Sequence, residues 1–233
     1  MQTVMRLLSW LVTVLVPVAL LLTSLRLVML PWFLEIEYRT PNFPPDRYGF
    51  TVGERLKYSR IALDYLLNDQ DISFLGELQF PSGQRVPDPS CQLMEDCSRI
   101  YNERELEHMV DVKIVAQAAL KVWFLSLGGL LVLGLWAWFG KWWGLYRIGL
   151  RRGGWLTVGL LCGLVLFGLL AFGTLFVWFH QIFFEAGTWV FYYSDTLIRL
   201  FPQRFWRDIF LLVGLLTAGF GLALGWGLKK EQV

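Results

Sequence analysis

Residues 153–179 read GGWLTVGLLCGLVLFGLLAFGTLFVWF, a run of 27 residues without a charged side chain. A helix rises 1.5 Å per residue, so about 20 residues cross the roughly 30 Å of hydrocarbon in a bilayer. Lipid offers no hydrogen-bond partner to the backbone, and the run lacks the alternation that is typical of barrel strands. The stretch therefore predicts a transmembrane helix.

Three further charge-free windows have the length of a membrane span, and they are residues 7–25, 122–140 and 209–228. With 55% hydrophobic residues, 12 Trp and 18 Phe, the chain is too apolar for a soluble domain of its size, because such a domain leaves much of its surface in water. The composition excludes a secreted disulfide scaffold, a disordered tail and a typical nucleic-acid-binding protein. We therefore predict a protein of the lipid bilayer without a nucleic-acid partner.

The first window has a second interpretation, a secretory signal peptide with Arg6 as its basic start. Its apolar run is longer than that of a usual signal sequence, and no small-residue cleavage site follows between Thr23 and Val28. We therefore expect a retained anchor, with Pro17 kinking the helix rather than ending it.

The windows predict an all-α membrane protein with four transmembrane helices and one large extracytoplasmic loop domain between the first and the second. The predicted segments are 1–34 for transmembrane helix 1, 35–111 for the extracytoplasmic loop domain, 112–140 for helix 2, 141–152 for a cytoplasmic loop, 153–179 for helix 3, 180–208 for an extracytoplasmic or interfacial segment, and 209–233 for helix 4 with a cytoplasmic tail.

The basic residues predict the orientation of these helices. Residues 141–152 hold four of them, and Arg6, Lys229 and Lys230 fall on the same side. In the opposite short connection, 180–208, three arginines are offset by three acidic residues. Because short cytoplasmic loops collect Lys and Arg, we predict that both termini are cytoplasmic.

The 35–111 segment is the candidate for a water-facing domain, with eight basic and fifteen acidic residues. Apolar spacing predicts a helix over Val52–Leu67, and Thr51 with Glu54 fits a capping box at its start. Cys91 and Cys97 have five residues between them on the side where oxidation is permitted, so either a disulfide or two free thiols fits the sequence.

The chain has two histidines, His108 and His180, and the predicted topology places both at the extracytoplasmic ends of adjacent helices. Two side chains that titrate near neutrality at one end of a bundle are a candidate acid/base pair. The alternative is two unrelated interfacial histidines, each hydrogen-bonded for stability.

Around His108, helical spacing brings Arg104, Glu105 and Asp111 onto the same face. A carboxylate on one ring nitrogen would fix the tautomer and raise the basicity of the other nitrogen. The same stretch is equally compatible with a solvated, charged connection between domain and membrane.

His180 lies among aromatic residues, and the belt of Trp and Phe side chains that is common at membrane–water interfaces explains most of them. Downstream, Ser194 is a candidate cap for a short interfacial helix that Pro202 ends, with Asp195 and Arg199 facing inward. Arg199 would alternatively bind phosphate headgroups only.

These stretches resemble the bacterial lipoprotein intramolecular transacylase (Lit) family of integral membrane proteins. The match extends in order and spacing along most of the chain, apart from 79–90 and the two neighbouring cysteines. Its motifs are Tyr48-Gly49-Phe50-Thr51 with Glu54-Arg55, Asn102-Glu103-Arg104-Glu105 with His108-Met109 and Asp111-Val112-Lys113, and His180 with Phe183-Phe184, Trp189, Asp195 and Leu197-Ile198-Arg199-Leu200-Phe201-Pro202.

The resemblance implies a bacterial membrane enzyme that moves the sn-2 acyl chain of a diacylglyceryl lipoprotein to the α-amino group of its N-terminal cysteine. Its partners would be diacylglyceryl-modified lipoproteins and membrane lipids, and it would need no cofactor. Donor and acceptor belong to one molecule, so proximity supplies much of the rate and no acyl-enzyme is required. Cys162, in the middle of a span, is then a small hydrophobe rather than a nucleophile.

Within that reaction we assign His108 as the base and His180 as its partner or an oxyanion stabiliser, and the two roles are open to exchange. Glu105 and Asp111 would orient an imidazole. The expected substrate contacts are Arg104, Tyr48, Arg199, Asp195 and Trp189.

Two other functions fit parts of the sequence. His108, Asp111 and His180 are a thin ligand set for zinc, with Glu105 as base. The loop domain is also compatible with a non-enzymatic membrane subunit or assembly factor. A transporter fits least, because the spans carry almost no charge and show no inverted repeat. The sequence does not specify the lipoprotein, the acyl chain, the oligomeric state or the particular bacterial membrane.

Overall fold

A computed structural model describes residues 2–185 and 187–228 of the chain. Within them the secondary structure is helical, and the strand-like pairing is a single isolated bridge between Gln79 and Arg99. The helices are α1 (Gln2–Val28), α2 (Pro31–Glu37), α3 (Val52–Leu67), α4 (Ser73–Gly76), α5 (Asp88–Cys91), α6 (Glu103–Phe139), α7 (Trp143–Phe183), α8 (Thr196–Leu200) and α9 (Gln203–Gly227).

Four of these helices, α1, α6, α7 and α9, are long and apolar enough to cross a membrane. They cover the four charge-free windows except for Gly140 and Leu228, so the prediction of an all-α, multi-pass membrane protein is confirmed. Pro17 lies inside α1 without ending it. The basic tail residues Lys229 and Lys230, which contributed to the predicted orientation, lie outside the described residues.

Several helices extend beyond the predicted segments, because a charge-free window reports the apolar part of a helix and not its ends. Helix α6 begins nine residues before 112, and α9 begins six residues before 209. In the predicted loop 141–152, only Lys141 and Trp142 lie outside a helix, since α7 begins at Trp143, and Lys141 adopts a left-handed φ of 57°. Lys and Arg are good helix formers, so the basic residues after that turn continue the helix.

Helix 1 also ends earlier than the predicted segment 1–34. Helix α1 stops at Val28, and Pro31 begins the separate helix α2, where a proline suits the first turn.

The chain divides into two compact units. The first, called here the span unit, comprises 1–28, 119–172 and 210–233, and the second, the histidine unit, comprises 29–118 and 173–209.

In the span unit, α1 and α7 approach closely because glycines of α7 face the backbone of α1. A Cβ added at Gly149 would lie 2.6 Å from the Ser9 carbonyl oxygen, and one at Gly153 would lie 2.5 Å from the Val16 Cβ. Ser9 Oγ donates to the Leu145 carbonyl oxygen at 2.7 Å. Small residues at such contacts are a common way for membrane helices to pack.

The histidine unit has a core of aromatic and aliphatic side chains from several short elements. Its fully buried members include Tyr58, Tyr65, Leu75, Ile100 and Leu200. The predicted α3 is confirmed at both ends, and its capping box with Thr51 and Glu54 is present. This core brings the start of α6 next to α8.

The predicted cap of α8 is wrong. Helix α8 begins at Thr196, with Asp195 in the capping position and no side-chain capping bond. The oxygens of Ser194 and Ser90 instead lie 2.8 Å apart, in hydrogen-bond contact.

Gly153→Ala should destabilise the span unit by about 1–3 kcal/mol, because the added methyl overlaps Val16 and the core must move to admit it. The matched control is Gly159→Ala in the same helix, where a Cβ meets nothing within 4 Å. Thermal melting in detergent should show a lower Tm for the first variant only. Equal Tm values for the two variants would contradict the close α1–α7 contact.

Candidate active site

The two histidines come together in the histidine unit. The ring centroids of His108, on α6, and His180, on α7, are 6.2 Å apart, and the ring planes differ by 18°. His108 is 8% exposed, and His180 is half-buried. The meeting of the two rings, predicted from topology, is thus present in the structure.

Aromatic rings surround both imidazoles. The ring of Phe184 lies 4.9 Å from His108, and Phe191 lies 5.3 Å from it. Phe176 and Trp189 contact His180 at centroid distances of 4.1 and 4.9 Å. Such a pocket is apolar and excludes most water, which strengthens electrostatic interactions inside it.

One hydrogen bond fixes the tautomer of His180. Its Nδ1 lies 2.7 Å from the carbonyl oxygen of Phe176, one turn earlier in α7. A carbonyl oxygen only accepts, so Nδ1 carries the hydrogen of the neutral ring. The lone pair of the neutral ring is therefore on Nε2, which is the nitrogen available to take a proton.

His108 is the more deeply buried imidazole, and its Nδ1 has no hydrogen-bond partner among the described residues. The side chain lies 14 residues before the charge-free window 122–140, outside the predicted span. Burial, with a smaller contribution from the charge of His180, lowers the pKa of His108 to about 4. The ring is therefore neutral at pH 7.

Glu105 does not orient His108, contrary to the prediction. Its Oε2 accepts from the Asn102 N–H at 2.9 Å, and its Oε1 accepts from the Leu197 N–H at 2.6 Å. Asn102 Oδ1 accepts in return from the Glu105 N–H at 3.0 Å, which completes a capping box at the start of α6. Glu105 thus joins α6 to α8, and the Asn-x-x-Glu spacing in the sequence was the signal for it.

Asp111, the second expected orienter, lies elsewhere. It lines a cavity of about 420 Å³ together with Glu107, Val110, Phe183, Phe184, Glu185 and Thr188. Since His108 Nδ1 is unpartnered, that nitrogen has no carboxylate beside it in the described part of the chain. A helix face fixes which side chains are neighbours in projection, but not where their ends point.

Asp195, expected to contact substrate, is fully buried and saturated with donors. Its Oδ1 accepts from Ser90 Oγ at 2.8 Å and Asn102 Nδ2 at 3.1 Å. Its Oδ2 accepts from an Arg104 guanidinium N–H at 3.0 Å and the Tyr192 N–H at 2.8 Å. No lone pair is left over for a substrate, so the predicted role of Asp195 is corrected to a structural one.

The two expected cationic contacts are also engaged within the protein. Arg104 pairs with Asp195 and lies over the rings of Phe191 and Tyr192. Arg199 pairs with Asp46 at 2.9 Å, and both side chains are at most 4% exposed. Arg199 is therefore a buried structural cation rather than a headgroup contact, whereas Arg104 keeps about a third of its side chain exposed.

Of the remaining expected contacts, Trp189 lies at the site and Tyr48 does not. The buried Nε1 of Trp189 has no partner among the described residues, while its ring packs on His180. Tyr48 is 42% exposed, and its ring lies beside Arg199 rather than a histidine. The structure does not support the alternative zinc site, since the described residues contain no group of three His, Cys, Asp or Glu placed to hold a metal ion.

Two residues at the site, Phe191 and Ser90, are absent from the set that the sequence predicts. Phe191 closes over His108, and Ser90 reaches the same region through Asp195. The only signal for Phe191 was its place in the aromatic run, and none marked Ser90. The neighbouring Cys91 and Cys97 form a disulfide.

The ring nitrogens of His108 should remain neutral from pH 7.5 down to pH 5, because the folded pKa lies well below that of a free imidazole. The chain has only two histidines, so ¹⁵N-histidine labelling with His108→Gln and His180→Gln variants assigns both rings. A midpoint for His108 at or above pH 6.5 would contradict the burial seen here.

The chain is similar in sequence to known proteins over most of its length. The model of a family described as "Lipoprotein intramolecular transacylase Lit" matches residues 10–206. An uncharacterized protein of Aquifex aeolicus (strain VF5) is 30% identical over 220 residues, which cover 93% of this chain and 91% of that protein.

Solved structures share the fold. The in meso structure of the membrane integral lipoprotein intramolecular transacylase Lit from Bacillus cereus superposes with a TM-score of 0.75, at 19% identity over 96% of this chain and 94% of that one. A histidine-substituted variant of the same protein gives a TM-score of 0.66, at 20% identity over 96% and 90% of the two chains.

Proposed function

This chain belongs to the lipoprotein intramolecular transacylase Lit family, and we propose that it transfers an acyl chain within a diacylglyceryl lipoprotein. The chain would leave the sn-2 ester of the glyceryl group and join the α-amino group of the N-terminal cysteine. Diacylglyceryl-modified lipoproteins, presented in the membrane among other lipids, are the proposed partners.

The observation that carries this proposal is the stacked pair of imidazoles in an aromatic pocket. An amine must be neutral to attack an ester, so the reaction needs a base that works near pH 7. The Phe176 carbonyl leaves the Nε2 lone pair of His180 available, which favours His180 as that base. His108, neutral because it is buried, would then be its partner. The roles of base and partner are thus exchanged relative to the first assignment, an alternative that the sequence left open.

In the proposed step the amine nitrogen attacks the ester carbonyl carbon, and the nitrogen–carbon bond forms as the carbonyl π electrons move to oxygen. His180 Nε2 accepts the proton that the nitrogen loses. When the tetrahedral intermediate collapses, the bond to the sn-2 oxygen breaks, and that oxygen takes the proton back from the imidazolium, directly or through His108. The products are an amide and a free sn-2 hydroxyl, with no net change in protons.

The 420 Å³ cavity beside Phe184 is the proposed seat of the substrate amine. Phe184 packs against both imidazoles, so the cavity adjoins the histidine pair. Its acidic lining residues, Glu107, Asp111 and Glu185, would attract the ammonium form, which predominates for an α-amino group near pH 7. The ammonium would release one proton to solvent before attack, so that the neutral amine reacts while His180 is still unprotonated.

We further propose that the protein lies in the bacterial cell membrane with both termini in the cytoplasm. The histidine pair would then work on the extracytoplasmic side, together with the loop domain predicted for 35–111. The excess of basic residues in 141–152 over 180–208 supports this orientation.

Expression in a bacterium whose own N-terminal lipoprotein acylation is disabled should produce N-acyl lyso-lipoproteins, detected by mass spectrometry of lipoprotein N-termini. His180→Gln and His108→Gln should each lower their formation by at least about 100-fold, because each removes a proton-transfer group. Arg85→Gln, at a side chain that is 64% exposed, is the control and should behave as wild type.

Two results would count against the proposal. Unchanged diacyl lipoproteins despite membrane-inserted protein would reject the activity. Full activity in His180→Gln would reject histidine catalysis while leaving the activity in place.

The orientation is tested by adding one cysteine at a time to a Cys162→Ser background, in which Cys91 and Cys97 are held in their disulfide, and the background itself is the control. In spheroplasts, a membrane-impermeant maleimide should label Ser82→Cys at once, because that side chain would face the outside, and should label Gly144→Cys only after permeabilisation. The reverse pattern would invert the proposed topology.

A further inference from the structure

We propose that Ser90 is a positioning residue for the histidine pair, held in place by the loop that the Cys91–Cys97 disulfide closes. Through Asp195, its hydroxyl fixes the segment 189–193, which carries Trp189 onto His180 and Phe191 onto His108. The activity part of this inference rests on the proposed function, whereas the structural part does not.

Ser90 is 1% exposed and makes two contacts that reach far along the chain. Its Oγ lies 2.8 Å from Asp195 Oδ1 and 2.8 Å from Ser194 Oγ. A hydroxyl has one hydrogen, so Ser90 donates it to the carboxylate and accepts from the Ser194 hydroxyl. The bond to Asp195 is charge-assisted, which makes it stronger than a bond between neutral groups.

Asp195 connects Ser90 to the segment 189–193, which carries Trp189 and Phe191. Its Oδ2 accepts from the Tyr192 N–H at 2.8 Å, and the Tyr192 carbonyl accepts from the Asp195 N–H at 3.0 Å. The turn between these two residues is thereby held from both directions. Phe191, directly before it, lies 5.3 Å from the ring of His108, and Trp189 lies 4.9 Å from that of His180.

The disulfide fixes where Ser90 stands, since Cys91 is the next residue. The Cα atoms of Cys91 and Cys97 are 5.0 Å apart. The Val86 N–H donates to the Cys97 carbonyl oxygen at 3.0 Å, so backbone pairing continues beyond the bridge. The bridge therefore joins the C-terminal end of the one-turn helix α5 to Cys97, whose carbonyl is itself hydrogen-bonded to Val86 before that helix.

Loss of the Ser90 hydroxyl leaves Asp195 with three other donors, so the fold should survive while the turn loses one of its restraints. Small displacements of positioning groups have large effects on rate, since a misplacement of about 1 Å costs up to about 100-fold. The expected result is a lower kcat with little change in KM, because Ser90 does not contact substrate.

The test compares Ser90→Ala with Ser82→Ala, an exposed serine of the same loop region. Lyso-lipoprotein formation is measured at several substrate levels, and the imidazole proton shifts of the two histidines are recorded by NMR. Those shifts carry the ring currents of Phe191 and Trp189, so they report the position of the aromatic segment. Ser90→Ala should lower kcat about tenfold and move both histidine signals, and Ser82→Ala should do neither.

Wild-type kcat and unmoved histidine signals in Ser90→Ala would overturn the proposal. If that variant does not fold, wild-type protein treated with a phosphine is measured in the same way, since the phosphine is oxidised as the disulfide becomes two thiols. Lower turnover and shifted signals that return on reoxidation support the proposal, and unchanged values overturn it. If wild type shows no transacylation, the proposed function fails, and the histidine signals alone decide the role of Ser90.

Discussion

The buried carboxylate of Asp195 is the interaction on which the arrangement around the histidines depends. An isolated charge without access to water costs several kcal/mol, and it is tolerated only when paired and fully hydrogen-bonded. Here four donors converge on the two oxygens, and one of them belongs to a guanidinium. Because the donors come from the Ser90 loop, the start of α6 and the turn at Tyr192, the carboxylate fixes these three segments relative to each other.

Two other buried acids of the histidine unit are also held by hydrogen bonds. Asp46 pairs with Arg199, and Glu105 accepts from two backbone N–H groups. Burial raises the pKa of Glu105 to about 8, and the N–H donors act in the opposite direction. These acidic residues therefore hold the scaffold together, whereas His108 Nδ1 and Trp189 Nε1 have no hydrogen-bond partner among the described residues.

Much of this architecture could be predicted from the sequence. The four spans follow from charge-free length alone, and Thr51 with Glu54 located the start of α3 to the residue. The meeting of His108 with His180 followed from topology, since antiparallel helices bring their facing ends together. The spans and the cap depend on residues that are near in sequence, and the meeting of the histidines depends only on the order of the spans.

The partners of the charged side chains could not be predicted in this way. Arg199 meets Asp46 from 153 positions away, and Ser90 meets Asp195 across 105 positions. Helical spacing predicts that Glu105 and Asp111 lie beside His108. In the folded protein Glu105 accepts from the Leu197 N–H instead, and Asp111 lines a cavity. The sequence shows which groups need partners, and the packing of the core decides which partners they find.

Two neutral imidazoles share one pocket in this protein, and the arrangement around them follows from that pair. Solid-state NMR of ¹³C,¹⁵N-histidine-labelled protein in lipid bilayers tests it directly, since only two residues carry the label. We expect cross-peaks between the rings of His108 and His180, in keeping with centroids 6.2 Å apart, and a His180 signal with hydrogen on Nδ1. Two fully assigned rings without any cross-peak between them would contradict it.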